Sequence, residues 1–169
     1  RFALSICADI WREDAARNAR NAGAQVLLVL NASPYAMQKQ EARYQAIRER
    51  IAETGMSIVY ANMVGGQDEL IFDGGSFAMD RNGSLTAQGR HFEEDILLLE
   101  ISGDLRPVGE IVAAMGEEAG VYRALCMGVR DYIGKNRFPG VLLGLSGGID
   151  SALTLAIASD ALGPDKVHA

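Results

Sequence analysis

The stretch VLLGLSGGIDSALTLAIASDALG, residues 141–163, restricts the fold of this chain more than any other segment. An apolar run over Gly140–Leu145 ends in Ser-Gly-Gly-Ile-Asp-Ser, and a helical pattern over 151–162 follows, closing at Gly163-Pro164. A short, continuous apolar run is the pattern of a strand buried on both faces, as in a parallel sheet covered by helices. Strand, glycine-rich turn and helix together predict an anion site. The first N–H groups of a helix have no partner within it, and the helix dipole adds positive character there. Gly147 and Gly148 let the backbone approach a phosphate, Ser146 and Ser151 offer hydroxyls, and Asp150 suits a hard divalent cation. The same residues also describe a plain turn in which Asp150 or Ser151 caps the helix. Two familiar phosphate loops are excluded, because the turn has no lysine and its glycines do not follow Gly-x-Gly-x-x-Gly.

The preceding residues repeat the strand–helix theme and then change style. Phe2–Ile6 reads as a strand, 12–23 as a helix closing on Gly23, and 25–31 as a buried strand. Residues 35–54 give a helix with Ala42, Ala46, Ile47 and Ile51 on its apolar side and Lys39, Arg43, Arg48 and Arg50 largely elsewhere. Residues 56–62 give another strand. After it, 71–79 and 84–88 bracket Asn82-Gly83, a hairpin signal, and 91–102 reads as one more strand. Residues 103–117 hold a proline, glycines and no sustained period, and are expected to be a linker. A helix is expected from about Glu118 to Asn136, with Val121, Tyr122, Leu125, Val129, Tyr132 and Ile133 in register.

Composition limits the classes of function. The chain has 169 residues, 49% hydrophobic and 22% charged, which is globular rather than disordered. No apolar stretch approaches a membrane span. A net charge of −6 without a Lys/Arg cluster argues against a nucleic-acid surface. Two cysteines point to a reducing, cytoplasmic setting rather than a disulfide framework. The opening at Arg1 inside a strand-like run, and the strand-like close at Lys166–Ala169, read as a piece of a longer protein.

Cys7 stands directly after a strand, in ICADIW, where either a core thiol or a nucleophile is expected; Cys126, inside an amphipathic helix, reads as a core thiol. His91 and His168 have no triad context, so a Cys-His arrangement has no support.

Ser146–Ser151 resembles the SGGxDS loop of the N-type ATP pyrophosphatases, which adenylate a substrate and release pyrophosphate. That superfamily leaves the acceptor open. ICADIW, LLVLNASPYAMQKQEAR and VYANMVGGQDELIFDGGSF resemble the C-terminal half of a nitrilase-type glutaminase domain, which works with a Glu-Lys-Cys triad. The order of this domain, linker, helix YRALCMGVRDYIGKN and GLSGGIDSA is similar to the family of glutamine-dependent NAD synthetases.

The resemblance implies an α/β chain: the C-terminal half of a nitrilase-type α-β-β-α sandwich over 1–102, a linker over 103–117, and over 118–169 the start of a doubly wound parallel-sheet domain of the adenine nucleotide α-hydrolase type. By position it implies Cys7 as the nucleophile forming a γ-glutamyl thioester, and Ser33 and Lys39 as glutamine ligands. Lys39 is otherwise a solvated residue opening its helix. The resemblance implies ATP on Gly144, Leu145, Ser146, Gly147, Gly148, Ile149, Asp150 and Ser151, with Asp150 on Mg2+. Glutamine, ATP and deamido-NAD would be the partners, with no nucleic acid, no membrane and a homo-oligomeric assembly. GGQDELIFDGGSF would lie near the domain contact, or be a turn and hairpin. The family commonly has Glu after the cysteine where this chain has Ala8, which affects a polar contact near glutamine. The triad Glu and Lys would precede Arg1 and the rest of the synthetase domain would follow Ala169, so residues 1–169 alone are expected to lack both activities. The alternatives are an ATP pyrophosphatase with another acceptor, such as a tRNA, and a catalytically inert interaction module.

Overall fold

A computed structural model describes residues 1–169. In chain order it contains β1 (Phe2–Ile6), a 3-10 turn (Cys7–Trp11), α1 (Glu13–Asn21), β2 (Val26–Asn31), α2 (Lys39–Thr54) and β3 (Ser57–Asn62). A hairpin follows, β4 (Val64–Gln67) and β5 (Leu70–Asp73), then β6 (Phe77–Met79), β7 (Leu85–Gln88), β8 (Glu100–Ile101) and β9 (Pro107–Val108). The chain ends in α3 (Glu117–Lys135), β10 (Val141–Leu142), α4 (Ile149–Leu162), a 3-10 turn (Pro164–Lys166) and β11 (Val167–His168). Contacts divide it into two units, Arg1–Val64 with Phe72–Ala114, and Gly65–Ile71 with Met115–Ala169.

The first unit is built on a five-stranded sheet in the order β1-β2-β3-β6-β7. β1, β2 and β3 are parallel, with Ile6 beside Leu30 and Asn31 beside Asn62, while β6 and β7 add on antiparallel. The alternation along each strand sends one set of side chains to a core with Ile10, Ala16, Leu27, Val29, Ile47, Ile51, Ile58, Tyr60, Phe77 and Met79. Phe2, Leu4, Ile6 and Leu30 point the other way and are 59%, 69%, 62% and 51% exposed, an apolar sheet face that the first unit itself leaves open. Asp80 closes the β6–β7 hairpin as expected at Asn82-Gly83. Its Oδ1 accepts from the N–H groups of Asn82 and Ser84, and Gly83 adopts φ 76°.

Several expectations change. The buried face of α2 is Arg43, Ala46, Ile47, Arg50, Ile51 and Thr54; Ala42 is exposed, and two arginines expected on the polar side lie inside. Residues 71–79 are not one strand, because Gly74 and Gly75, at φ 64° and 63°, turn the backbone between β5 and β6. Residues 91–102 form a strand only at Glu100–Ile101. Side chains there still alternate, with Leu97 and Leu99 half-buried and Ile96 and Leu98 exposed, but no neighbouring backbone supplies a ladder. The segment expected as a linker pairs through Pro107–Val108 with β8, and Gln88 exchanges backbone hydrogen bonds with Glu110 and Val112.

In the second unit α3 packs on α4, and β10 pairs in parallel with β11. Residues Gly65–Ile71 group here: Gly66 N–H donates to Asp131 Oδ2 at 2.6 Å, and Lys135 Nζ donates to the Gly66 carbonyl. The buried residues of α3 are Gly120, Ala124 and Met127. Leu125, Val129, Tyr132 and Ile133 instead line an open groove with Ile71 and Val141. The expected strand 140–145 is ladder-paired only at Val141–Leu142.

Candidate functional site

In open sheets with parallel strands, ligands bind outside the carboxyl ends of the strands. In the first unit those ends bring together Cys7, which follows β1, the loop 32–38, which follows β2, and Asn62, which ends β3. Cys7 is exposed and has φ 53°. A residue with a Cβ is uncommon in this region, and such conformations concentrate at functional turns. Asn31 Nδ2 donates to the Cys7 carbonyl at 3.4 Å, and Asp9 Oδ2 accepts from Ile6 N–H at 3.4 Å, so side chains on both sides hold the turn.

Ser33 is only 5% exposed. Its N–H donates to Asn62 Oδ1 at 2.9 Å, its hydroxyl accepts from Arg43 Nε at 3.1 Å, and its carbonyl accepts from Arg43 Nη2 at 2.8 Å. Lys39 opens α2 after Gln38, itself at φ 60°, and its ammonium lies 4.8 Å from the centre of the Trp11 ring. Trp11 ends the 3-10 turn that Cys7 begins, so the structure brings Lys39 to the cysteine turn. The fold thus gathers Cys7, Ser33 and Lys39 at one end of the sheet, although they are separated in sequence.

Beneath them lies a pair that sequence reasoning missed. Arg43 Nη1 and Nη2 donate to Asp73 Oδ2 and Oδ1 at 2.9 and 2.8 Å, and His91 Nδ1 lies 3.5 Å from Asp73 Oδ2. Burial opposes the Asp73 charge, but hydrogen bonds from His91 and Arg43 and the Arg43 charge outweigh it and hold its pKa below the usual carboxylate value. Burial pushes the Tyr60 phenol up, and the charge of Arg43 partly offsets this. Asn62 was missed as well; its Nδ2 donates to Gly74 O at 2.9 Å. A signal for Arg43 existed in the spacing of 43, 47, 50 and 54, which traces a helix face as regular as the apolar one.

In the second unit the turn Gly144–Gly148 and the first residues of α4 are exposed. Gly147 has φ 89° and a Cβ there would meet open space, so the glycine serves backbone conformation, with room left above it. Gly148 is the N-cap of α4 and provides no side chain to its free N–H groups. Ser146 Oγ and Ser151 Oγ are 3.1 Å apart, and Ser151 Oγ donates to the Gly148 carbonyl at 2.9 Å. Gly144, Leu145 and Ile149 complete the exposed turn around these residues. Asp150 is in the first helical turn, and no group of three or more potential metal ligands occurs in the chain. One carboxylate fits Mg2+ only where phosphates and water supply most ligands, which is how Mg2+ is commonly bound with nucleotides.

Residues 1–110 match the carbon-nitrogen hydrolase family model. The chain belongs to the carbon-nitrogen hydrolase family. Residues 121–169 match the NAD synthase family model. The chain is similar to glutamine-dependent NAD(+) synthetases from Rhodobacter capsulatus, at 46% identity over 98% of this chain and 31% of that protein, and from Acinetobacter baylyi, at 43% over 100% and 32%. It therefore spans about a third of the length of the curated relatives it matches. Among solved structures, the glutamine-dependent NAD+ synthetase of Acinetobacter baumannii, in complex with ADP, superposes with a TM-score of 0.89 at 43% identity, covering 98% of this chain and 32% of that one. A carbon-nitrogen hydrolase from Helicobacter pylori shares the fold over 56% of this chain and 38% of its own, at a TM-score of 0.51 and 24% identity. The mixed α/β architecture is thus that of a carbon-nitrogen hydrolase joined to an NAD synthase domain. No helix is long and apolar enough to cross a membrane.

Proposed function

We propose that the full-length protein makes NAD by amidating deamido-NAD with ammonia taken from glutamine, and that Cys7 is the nucleophile. The observation that carries this reading is the exposed Cys7 at φ 53° on the carboxyl end of β1, in a carbon-nitrogen hydrolase unit that precedes an NAD synthase unit.

The Cys7 thiolate would attack the γ-amide carbon of glutamine. The amide nitrogen takes up a proton, the C–N bond breaks, ammonia leaves, and a γ-glutamyl thioester remains. Water then cleaves the thioester to glutamate and the free thiol; a thiolate is both a strong nucleophile and a good leaving group. Lys39 would attract the α-carboxylate of glutamine, and Ser33 would shape the pocket from the loop after β2. In the second unit the backbone N–H groups at Gly147–Ile149 and the hydroxyls of Ser146 and Ser151 would hold ATP phosphates, with Gly144, Leu145 and Asp150 completing the turn. Asp150 would hold Mg2+, which neutralises phosphate charge when bound. The carboxylate of deamido-NAD displaces pyrophosphate from the α-phosphate of ATP, and ammonia then displaces AMP to give the amide.

Assembly of identical chains and a cytoplasmic setting belong to the same reading. Light scattering of the purified full-length protein would test the first.

Treating the full-length protein with an electrophilic glutamine analogue tests the nucleophile. Peptide mass spectrometry should place the adduct on Cys7 and leave Cys126 free, and glutamine should protect. An unlabelled Cys7 would remove the glutaminase half of the reading and favour an inert module.

A further inference from the structure

Arg43 is the least expected buried group in the chain. Its side chain is fully buried, and its guanidinium makes six hydrogen bonds. Two go to Asp73, which neutralises it. One goes to Gln40 Oε1, and three go to the loop after β2: the Ser33 hydroxyl, the Ser33 carbonyl and the Pro34 carbonyl at 3.3 Å. Burying an ion pair seldom stabilises a fold better than apolar side chains of the same volume, so cohesion alone does not account for it.

The bonds go to a segment with no strand or helix of its own. Loop 32–38 lies between β2 and α2, and side chains therefore determine its course. Asn62 holds the Ser33 N–H from one side, and Arg43 holds two consecutive carbonyls and the Ser33 hydroxyl from the other. The loop leads directly to Lys39 beside Trp11. Arginine suits this work because its planar fork reaches several acceptors at once, whereas lysine is a point donor.

We propose that Arg43, oriented by Asp73, is a positioning residue for the glutamine site, acting on the substrate through the Ser33–Gln38 loop without touching it. This rests on the glutaminase reading of Cys7, which makes the Ser33 loop and Lys39 part of a glutamine pocket.

The test uses the full-length protein with glutamine-driven and ammonium-driven NAD formation measured separately. Two variants are compared: Arg43→Lys, and the double variant Arg43→Met with Asp73→Leu, which removes both charges and leaves neither buried alone. The KM for glutamine should rise about tenfold or more in Arg43→Lys, the scale of one lost charge-assisted hydrogen bond, with a smaller change in kcat. The double variant should keep a raised glutamine KM even where its unfolding midpoint matches the parent. Ammonium-driven synthesis should be unchanged in both.

A folded Arg43→Lys protein with the parental glutamine KM would overturn the proposal. So would recovery of the parental KM in a stable double variant, or equal losses with glutamine and ammonium, since either is the mark of a purely structural pair. If the double variant does not fold, Arg43→Lys decides alone. Failure of the underlying reading is visible separately, as a parental protein with ammonium-driven but no glutamine-driven synthesis.

Discussion

Arg43 and Asp73 face each other across the first unit as a two-bond pair, at 2.9 and 2.8 Å, thirty residues apart in sequence and both buried. Removing one partner leaves the other charged and unpaired. The Asp73→Asn protein should therefore be destabilised by about 3–5 kcal/mol at neutral pH, read from urea unfolding. The folded-state pKa of Asp73 lies below its ordinary value, so its contribution is complete above the ordinary carboxylate range and is lost as pH falls through the lowered pKa. The stability gap between parent and Asp73→Asn should consequently shrink on acidification. A gap that stayed constant into strong acid would show that the Asp73 charge contributes nothing.

Gly147 holds φ 89° at the turn before α4. Gly147→Ala forces a Cβ into left-handed backbone, at a cost of about 1–2 kcal/mol, or shifts the turn. The KM for ATP should rise in the full-length protein while glutamine hydrolysis is preserved. An unchanged ATP KM would detach this turn from nucleotide binding.

Tyr122 donates to Asp160 Oδ2 at 2.7 Å from α3 to α4. That hydrogen bond, with some desolvation and the negative charge of Asp160, pushes the phenol up to about 12. Phenolate absorbance should appear for this residue only at strongly alkaline pH, and Asp160→Asn should bring it back toward the ordinary tyrosine value. A titration indifferent to Asp160 would mean that the two side chains do not meet.

The face carrying Phe2, Leu4, Ile6 and Leu30 is open in the first unit, as one half of a two-sheet sandwich would be. Leu4→Glu should scarcely affect the unfolding of residues 1–169 expressed alone. In the full-length protein it should cost at least about 2 kcal/mol, the burial of one leucine. Equal, small effects in both would mean that no second sheet covers this face.

What the sequence disclosed was local. The strand–turn–helix at Gly140–Leu162 and Cys7 after β1 each lie within a few consecutive residues, where backbone rules act directly. The Arg43–Asp73 pair was hidden because it depends on helix phase. Ala46, Ile47 and Ile51 fit one face with Ala42 or with Arg43, and charge alone favoured the wrong neighbour. The positive φ of Cys7 was equally hidden, since no residue type announces a strained turn. Residues 91–102 misled because their alternation is that of a strand, and burial follows it, while a ladder requires a partner that sequence spacing does not reveal.

The proposed release of ammonia from glutamine at Cys7 is open to a direct comparison. NAD formation by the full-length protein and its Cys7→Ala variant is measured with glutamine and with ammonium as nitrogen source. Cys7→Ala should lose glutamine-driven synthesis and retain ammonium-driven synthesis at the parental rate. Glutamine-driven synthesis persisting in the variant would show that Cys7 is not the nucleophile.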